Sequence, residues 1–291
     1  MIGVDWGTSS LRAYRLDPAG GVLDRIEAPR GILAIAPGGF ADELRAQIGG
    51  WLAAGEREVL LCGMIGSRQG WVEAPYLTCP ADAAGIASAV VAVPFESGAV
   101  RLVPGLADSD DADTPEVMRG EETQLVGVMQ QAGEGLACLP GSHSKWARIG
   151  GGRINGFRTY LSGEAFSALR GGTILGRMMH DGPTSLPAFD RGVARAEDPG
   201  HLLHHLFGVR SLGLFGRLAD ADSASYLSGL LIGHEVFAAK PSGQTVTLIG
   251  AEPLCTLYAR AITAAGGVPV LAAPDAAARG LAAIARSVSW H

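Results

Sequence analysis

Short apolar runs and amphipathic stretches alternate along this chain. Residues 2–5 form an apolar run that ends at a Gly-rich turn. Residues 11–16 alternate with period two, and Pro18-Ala-Gly-Gly21 leads into a third run at 22–28, which predicts an antiparallel meander. Phe40, Leu44, Ile48, Trp51 and Leu52 fall at helical spacing across 40–54. Runs at 59–62 and 100–103 read as buried strands, and 123–131 as a helix. The pattern then restarts. An apolar run at 136–139 ends in Pro140-Gly-Ser-His-Ser-Lys145, followed by runs at 146–149 and 154–161 across a Gly150-Gly-Gly152 turn. Gly141 follows Gly7 by 134 positions, close to half the chain. Helical spacing at 164–169, a mixed stretch to Gly216, a helix at 223–239, a strand at 245–249, a helix at 254–265, a strand at 268–271 and a helix at 276–288 complete the reading. A duplicated sheet-plus-helix unit is the best account of this recurrence.

Composition narrows the classes. The 291 residues suit two domains, and 47% hydrophobic against 18% charged residues excludes wholesale disorder. A net charge of -6 without a basic stripe argues against gripping nucleic acid. No apolar run reaches the ~20 residues a membrane span needs, and MIGVDWGTSS lacks the basic start of a secretory leader. Cys62, Cys79, Cys138 and Cys255 are widely spaced and form no CxxC, so reduced thiols and a cytoplasmic location are expected.

Candidate chemistry sits in the two glycine loops. In Asp5-Trp-Gly-Thr-Ser-Ser10, Gly7 admits close approach of a ligand. Thr8 and Ser9 offer hydroxyl and N–H donors for an anion nest, and Asp5 ends a strand where its carboxylate can hold a hydrated Mg2+. By itself the short D-x-G-S/T pattern favours a hairpin turn with a capping Asp. Gly141-Ser142-His143-Ser144-Lys145 repeats the chemistry and adds the Lys145 cation. It is not a Walker A loop, and no G-x-S-x-G elbow is present. Two matching nests in two repeats would grip phosphate from both sides. In Val117-Met-Arg-Gly-Glu-Glu-Thr-Gln, Glu121 and Glu122 open a helix, either as simple capping or as a general base for a hydroxyl. Arg119 beside them is suited to a carboxylate.

Asp5-Trp-Gly-Thr8 resembles the first phosphate loop of the actin/hexokinase/Hsp70 ATPase superfamily. More specifically, DWGTSSLRAY, GMIGSRQGWVEAPYL (63–77), VMRGEETQLVG (117–127), LPGSHSKW (139–146), INGFRTYLSGE (154–164) and YLSGLLIG (226–233) resemble, in order, blocks of the 2-dehydro-3-deoxygalactonokinase family. The resemblance implies an α/β chain of two RNase H-like (actin-like ATPase) domains, of duplicated βββαβαβα type, around an interdomain cleft. Residues 1–132 would form the sugar-acid and phosphate side, joined by the C-terminal helix 276–291, and 133–275 the nucleotide side. The implied reaction moves the ATP γ-phosphate to the 6-hydroxyl of 2-dehydro-3-deoxy-D-galactonate, with Mg2+, in galactonate catabolism.

Position by position, Asp5 matches the superfamily acid near metal and γ-phosphate, and Gly7 and Thr8 its phosphate turn. Gly141, Ser142 and His143 take the second loop, and Gly250-Ala251-Glu252 the adenosine-binding turn. The base falls on Glu121 or Glu122, a departure from the Asp of related sugar kinases. Glu121 is preferred, with an acid of the Asp108–Asp113 run as the alternative. Arg68, Arg119 and Arg158 are candidates for the substrate carboxylate, against surface ion pairs, and Trp71 for a carbon face of the sugar. The domains are expected to close over both substrates before transfer. The competing readings are a phosphohydrolase of the same superfamily, a kinase for the gluconate epimer, and a fold-retaining module without turnover. The chain leaves open whether it forms a homodimer.

Other features are read blandly. His201, His204 and His205 have metal-like spacing but are expected on an exposed helix face. The Asp108–Asp113 run is read as a solvated loop. Gly229-x-x-x-Gly233 is read as close helix packing.

Overall fold

Four of the five residues of the first strand, β1 (Ile2–Trp6), are buried, and the rest of the first unit is laid against it. In this computed structural model, which describes residues 1–109 and 114–290, the elements that follow are β2 (Leu11–Leu16), β3 (Val22–Ala28), α1 (Phe40–Ala53), β4 (Glu58–Cys62), β5 (Tyr76–Thr78), α2 (Ala83–Ser88), β6 (Val91–Val93), β7 (Ala99–Leu102), β8 (Gly105–Asp108), β9 (Glu116–Met118) and α3 (Glu121–Ala132). A second series begins with β10 (Gly135–Leu139), β11 (Ser144–Gly150), β12 (Arg153–Tyr160) and α4 (Ser162–Gly172). It continues through α5 (Leu186–Glu197), α6 (Leu202–Leu214), α7 (Asp220–Ala239), β13 (Thr245–Leu248), α8 (Glu252–Ala264), β14 (Val268–Leu271) and α9 (Ala276–Ala285).

The chain divides into two units. The first takes Met1–Glu134, Ala147–Phe157 and the segment from Ala272. The second takes Gly135–Trp146 and Arg158–Leu271.

The six-stranded sheet runs β3-β2-β1-β4-β7-β6. β1 and β3 are antiparallel to β2, while β1, β4 and β7 are mutually parallel neighbours. The five-stranded sheet runs β12-β11-β10-β13-β14, with β10, β13 and β14 parallel. In both, the first strand of the series lies at the centre, with the second and third to one side. A small sheet, β5-β8-β9, completes the strands among the described residues. Its members have three or four residues, too few to show an alternation in the sequence.

The first unit's core gathers Val4, Trp6 and Leu11 from the meander, Leu44, Ile48 and Trp51 from the i, i+4 stripe of α1, and Leu61 from β4. α9 completes it. A Cβ at Gly127 of α3 would collide with the carbonyl of Ala276, and one at Gly280 of α9 with that of Thr123. Backbone-to-backbone contact at these two glycines sets α3 against α9 and so fixes where the start of α3 falls. In the second unit, Phe189 and Val193 of α5, Val236 of α7 and Tyr258 of α8 are buried together. Gly229 and Gly233 of α7 abut Phe189 and Val193, the close helix packing expected of them.

The mixed stretch before Gly216 contains α5 and α6. α6 is apolar around its circumference, with Leu203 and Phe207 exposed and Leu206 and Val209 buried, so no single stripe marks it. His205 corrects the expectation of an exposed histidine face. It is buried, and its Nδ1 lies 3.0 Å from His234 Nε2 of α7. Among the described residues no group of three or more His, Cys, Asp or Glu side chains is arranged for a metal ion, and no helix is long and apolar enough to cross a membrane. Asp108 corrects the solvated-loop reading. It ends β8 at 2% exposure, and its Oδ2 accepts the Phe157 N–H at 2.7 Å. Asp110, Asp111 and Asp113 lie outside the described residues.

Candidate functional site

In the first unit, three backbone ends meet at one place. β1 delivers Asp5, the turn after β4 delivers Gly63, and Gly120 opens α3. A Cβ at Gly63 would stand 2.8 Å from Trp6 O and 3.2 Å from Asp5 Oδ1, and one at Gly120 would stand 3.2 Å from Gly63 Cα. Gly120 also holds φ +107°, which side-chain-bearing residues avoid. Close approach and positive φ together make glycine necessary where α3 begins. Parallel pairing of β1 with β4, Asp5 opposite Cys62, brings the ends into line.

The charges at this point perturb one another. Asp5 is raised from 3.8 to about 6: burial is the main cause, Arg12 opposes it, and Glu121 adds to it. Arg12 Nη1 lies 3.8 Å from Asp5 Oδ2. Burial, with Asp5 and Glu122 nearby, pushes the Cys62 thiol well up. The two glutamates that open α3 differ sharply. Glu122 is buried, with Oε2 accepting the Gly120 N–H at 2.6 Å and Oε1 accepting the Thr123 hydroxyl at 2.9 Å. Burial raises it to about 7, and Glu121 contributes. Glu121 is only half-buried, and its Oε2 accepts the Arg119 N–H at 3.0 Å. Glu122 is therefore folded into its own helix start, whereas Glu121 stands where it interacts with Asp5.

Arg119 is 9% exposed. Its Nη2 donates to Ala74 O at 2.7 Å, and its guanidinium covers the Tyr76 ring at 4.5 Å. Nε and Nη1 are buried without a hydrogen-bond partner among the described residues, as is Ser67 Oγ. Gly66 packs against Nη1. Buried N–H donors left unmatched are rare and costly, so they mark a place for an acceptor.

Arg68 is 88% exposed and paired with Glu73 at 3.0 Å. Arg158 is exposed. Trp71 packs edge-to-face on Phe95 against the first unit's core. The Gly7 turn is tight: Gly7 N–H donates to Ser10 O, and the carbonyls of Gly7 and Thr8 accept from Ile32 and Leu33. The N–H groups of Thr8 and Ser9 stay outside these bonds.

In the second unit, Gly141, Ser142 and His143 join β10 to β11. Ser142 and His143 are exposed. His143 pairs with Glu164 at the start of α4, and Ser142 O accepts the Glu164 N–H at 3.0 Å. Lys145 is buried, its ammonium donating to His143 O at 2.9 Å. Gly250, ahead of Ala251 and Glu252 at the start of α8, faces Pro140, so the two turns lie side by side. Beside Gly141 opens a cavity of about 300 Å³, walled by Gly163 and Phe166 of α4, Leu231 of α7, and Leu254, Leu257 and Tyr258 of α8. It is apolar with a few polar groups, the make-up of a small-molecule site.

Residues 5–284 match the family model of 2-keto-3-deoxy-galactonokinase. The chain belongs to this family. It is an ATP-dependent carbohydrate kinase. Over 98% of its length and 96% of the relative's, it is 39% identical to a Rhizobium meliloti protein named "Probable 2-dehydro-3-deoxygalactonokinase DgoK1". It is 32% identical to the Escherichia coli 2-dehydro-3-deoxygalactonokinase, covering 99% of the chain and 98% of the relative. A crystal structure from Sinorhizobium meliloti that carries the same kinase assignment superposes with a TM-score of 0.89, at 38% identity and 98% coverage of both chains.

Two parts of this geometry escaped sequence reasoning. Arg12 had a legible signal, since a four-residue hairpin loop from Gly7 to Ser10 pairs Trp6 with Leu11 and hence Asp5 with Arg12. The α4 wall had none, because Gly163 and Phe166 reach the cavity only through tertiary packing.

Proposed function

We propose that this kinase transfers the ATP γ-phosphate to the 6-hydroxyl of 2-dehydro-3-deoxy-D-galactonate. The observation that carries the reading is the meeting of Asp5, Gly63 and Gly120 at the opening of α3, with the charge of Glu121 near enough to raise Asp5, in a chain of this family. In this reading Glu121 accepts the hydroxyl proton as phosphoryl transfer proceeds. Asp5, partly exposed and flanked by Arg12 and Glu121, is the residue suited to a hydrated Mg2+. When bound, that ion neutralises charge on the transferring phosphate. A sugar acid is an anion at neutral pH, and the unmatched Arg119 donors are suited to its carboxylate. Glu122 holds the helix start.

On the nucleotide side, the 141–143 turn is read as the cradle for phosphates, and the cavity beside it as the seat of the adenosine, with the Gly250 turn at its edge. The matching strand orders of the two sheets support reading them as duplicated RNase H-like units of the actin-like ATPase type. In this reading the enzyme works in the cytoplasm, in galactonate catabolism, and its product is a 6-phosphate.

A coupled assay tests it. ADP release should depend on the sugar acid. Phosphate release from ATP without sugar would point to a phosphohydrolase instead. A panel of 2-dehydro-3-deoxy sugar acids separates the galactonate substrate from its gluconate epimer, which differs at a single hydroxyl.

A further inference from the structure

Behind the cavity wall of the second unit, α7 carries a carboxylate that the reaction does not use. Glu235 is 2% exposed. Its Oε1 accepts the Trp146 Nε1–H at 2.8 Å, and its Oε2 accepts the Tyr258 hydroxyl at 2.8 Å. Ser162 and Ser144 bond to it as well. The Tyr258 oxygen lies 2.7 Å from Ser144 Oγ, and Ser144 Oγ lies 3.5 Å from Gly141 O. Tyr258 has one proton. Given to Glu235, it leaves the phenol oxygen to accept from Ser144.

The partners come from three elements: β11 (Ser144, Trp146), the first residue of α4 (Ser162) and α8 (Tyr258). Ser162, Tyr258 and Gly141 also face the cavity, and Glu235 does not. A carboxylate is expensive to bury, and burial holds this one above its ordinary value. An apolar residue would fill the space at lower energy if packing were the whole purpose. What a carboxylate adds is the ability to accept from several donors at once, and here those donors are the anchors of one turn.

We propose that Glu235 is a positioning residue for nucleotide, holding the Gly141–His143 turn and the mouth of the adjacent cavity in register through Tyr258, Ser144 and Ser162. The inference rests on the reading of that turn as the phosphate cradle.

The test is direct binding of ADP to the full chain, without sugar acid. Tyr258→Phe and Ser144→Ala each break the relay, and each should weaken ADP at least about five-fold. The double variant should lose less than the sum of the two single losses, because Tyr258 and Ser144 bond to each other and share Glu235. Glu235→Gln can run the relay in reverse: its amide donates to Tyr258, Tyr258 to Ser144, and Ser144 to Gly141 O. It should stay within about two-fold of wild type, while Glu235→Leu should not. The KM for the sugar acid should change less than about two-fold in all of them. Wild-type ADP affinity in both Tyr258→Phe and Ser144→Ala, even with a lowered Tm, would overturn the inference alone. Failure of the wild-type chain to bind ADP would remove the phosphate-cradle reading and this inference with it.

Discussion

Asp5 Oδ2 stands 3.8 Å from Arg12 Nη1, and the two residues are register partners across β1 and β2. The guanidinium opposes the burial that lifts Asp5 to about 6, but does not cancel it. Asp5→Asn should therefore separate two properties. Turnover should fall at least about 100-fold, the scale of losing an essential catalytic group, and should no longer respond to Mg2+ titration. Stability at pH 8 should rise, since keeping that carboxylate ionised costs the fold on the order of 1–3 kcal/mol. Thermal unfolding beside a metal titration reads both, and an unchanged metal response would remove Asp5 from its assigned role.

The adjacent acids of α3 should part company. Glu121→Gln should lower kcat by about 100-fold or more with little change in either KM. Glu122→Gln should keep kcat within a few-fold, because a carboxamide can still accept from Gly120 and donate to Thr123. Steady-state kinetics on the pair decides between them, and the reverse ranking would transfer the base to Glu122.

Asp5 and Glu122 also set a pH dependence of stability. Unfolded, these groups release their protons near 3.8 and 4.5; folded, they hold them to about 6 and 7. Between those limits the native state binds more protons, so stability falls as pH rises from about 4 to about 7 and then levels. Tm measured from pH 5 to pH 8 should decline, and Glu122→Gln should flatten the slope. A rising Tm across that range would contradict the desolvation that raises both carboxyls.

Arg119 is the test of substrate class. Arg119→Lys keeps the charge but surrenders the planar fork that covers Tyr76 and reaches Ala74. The KM for the sugar acid should rise about ten-fold or more while the KM for ATP holds. Equal loss toward both substrates would make Arg119 a structural arginine.

Gly163 tests the nucleotide side. A Cβ there would stand 2.8 Å from Ser142 Cα, so Gly163→Ala must displace either the phosphate turn or the start of α4. The KM for ATP should rise several-fold while the KM for sugar acid is kept. An unaltered ATP KM would show that the turn does not hold the nucleotide.

Much of this was legible in the chain. The Gly7 and Gly141 loops, the two meanders and the α1 stripe are local patterns, and local patterns survive in a linear string. The sequence also pointed to the start of α3, because Gly120-Glu121-Glu122 is a helix opening in its own right. It favoured Glu121 only for directly following Gly120, and did not show how the two glutamates differ in their surroundings. Which of them turns back to Gly120 and which meets Asp5 depends on the parallel pairing of β1 with β4 and on the contact of Gly127 with α9. Likewise, spacing marked His205 as surface, and only the packing of α6 on α7 buried it beside His234. Residue type and rhythm determined the two glycine loops, the meanders, the stripe of α1 and the family. Burial and the meeting of distant backbones decided the protonation of Asp5 and Glu122, the unmatched donors of Arg119 and the cavity beside Gly141, because desolvation and close approach arise only when segments remote in sequence come together.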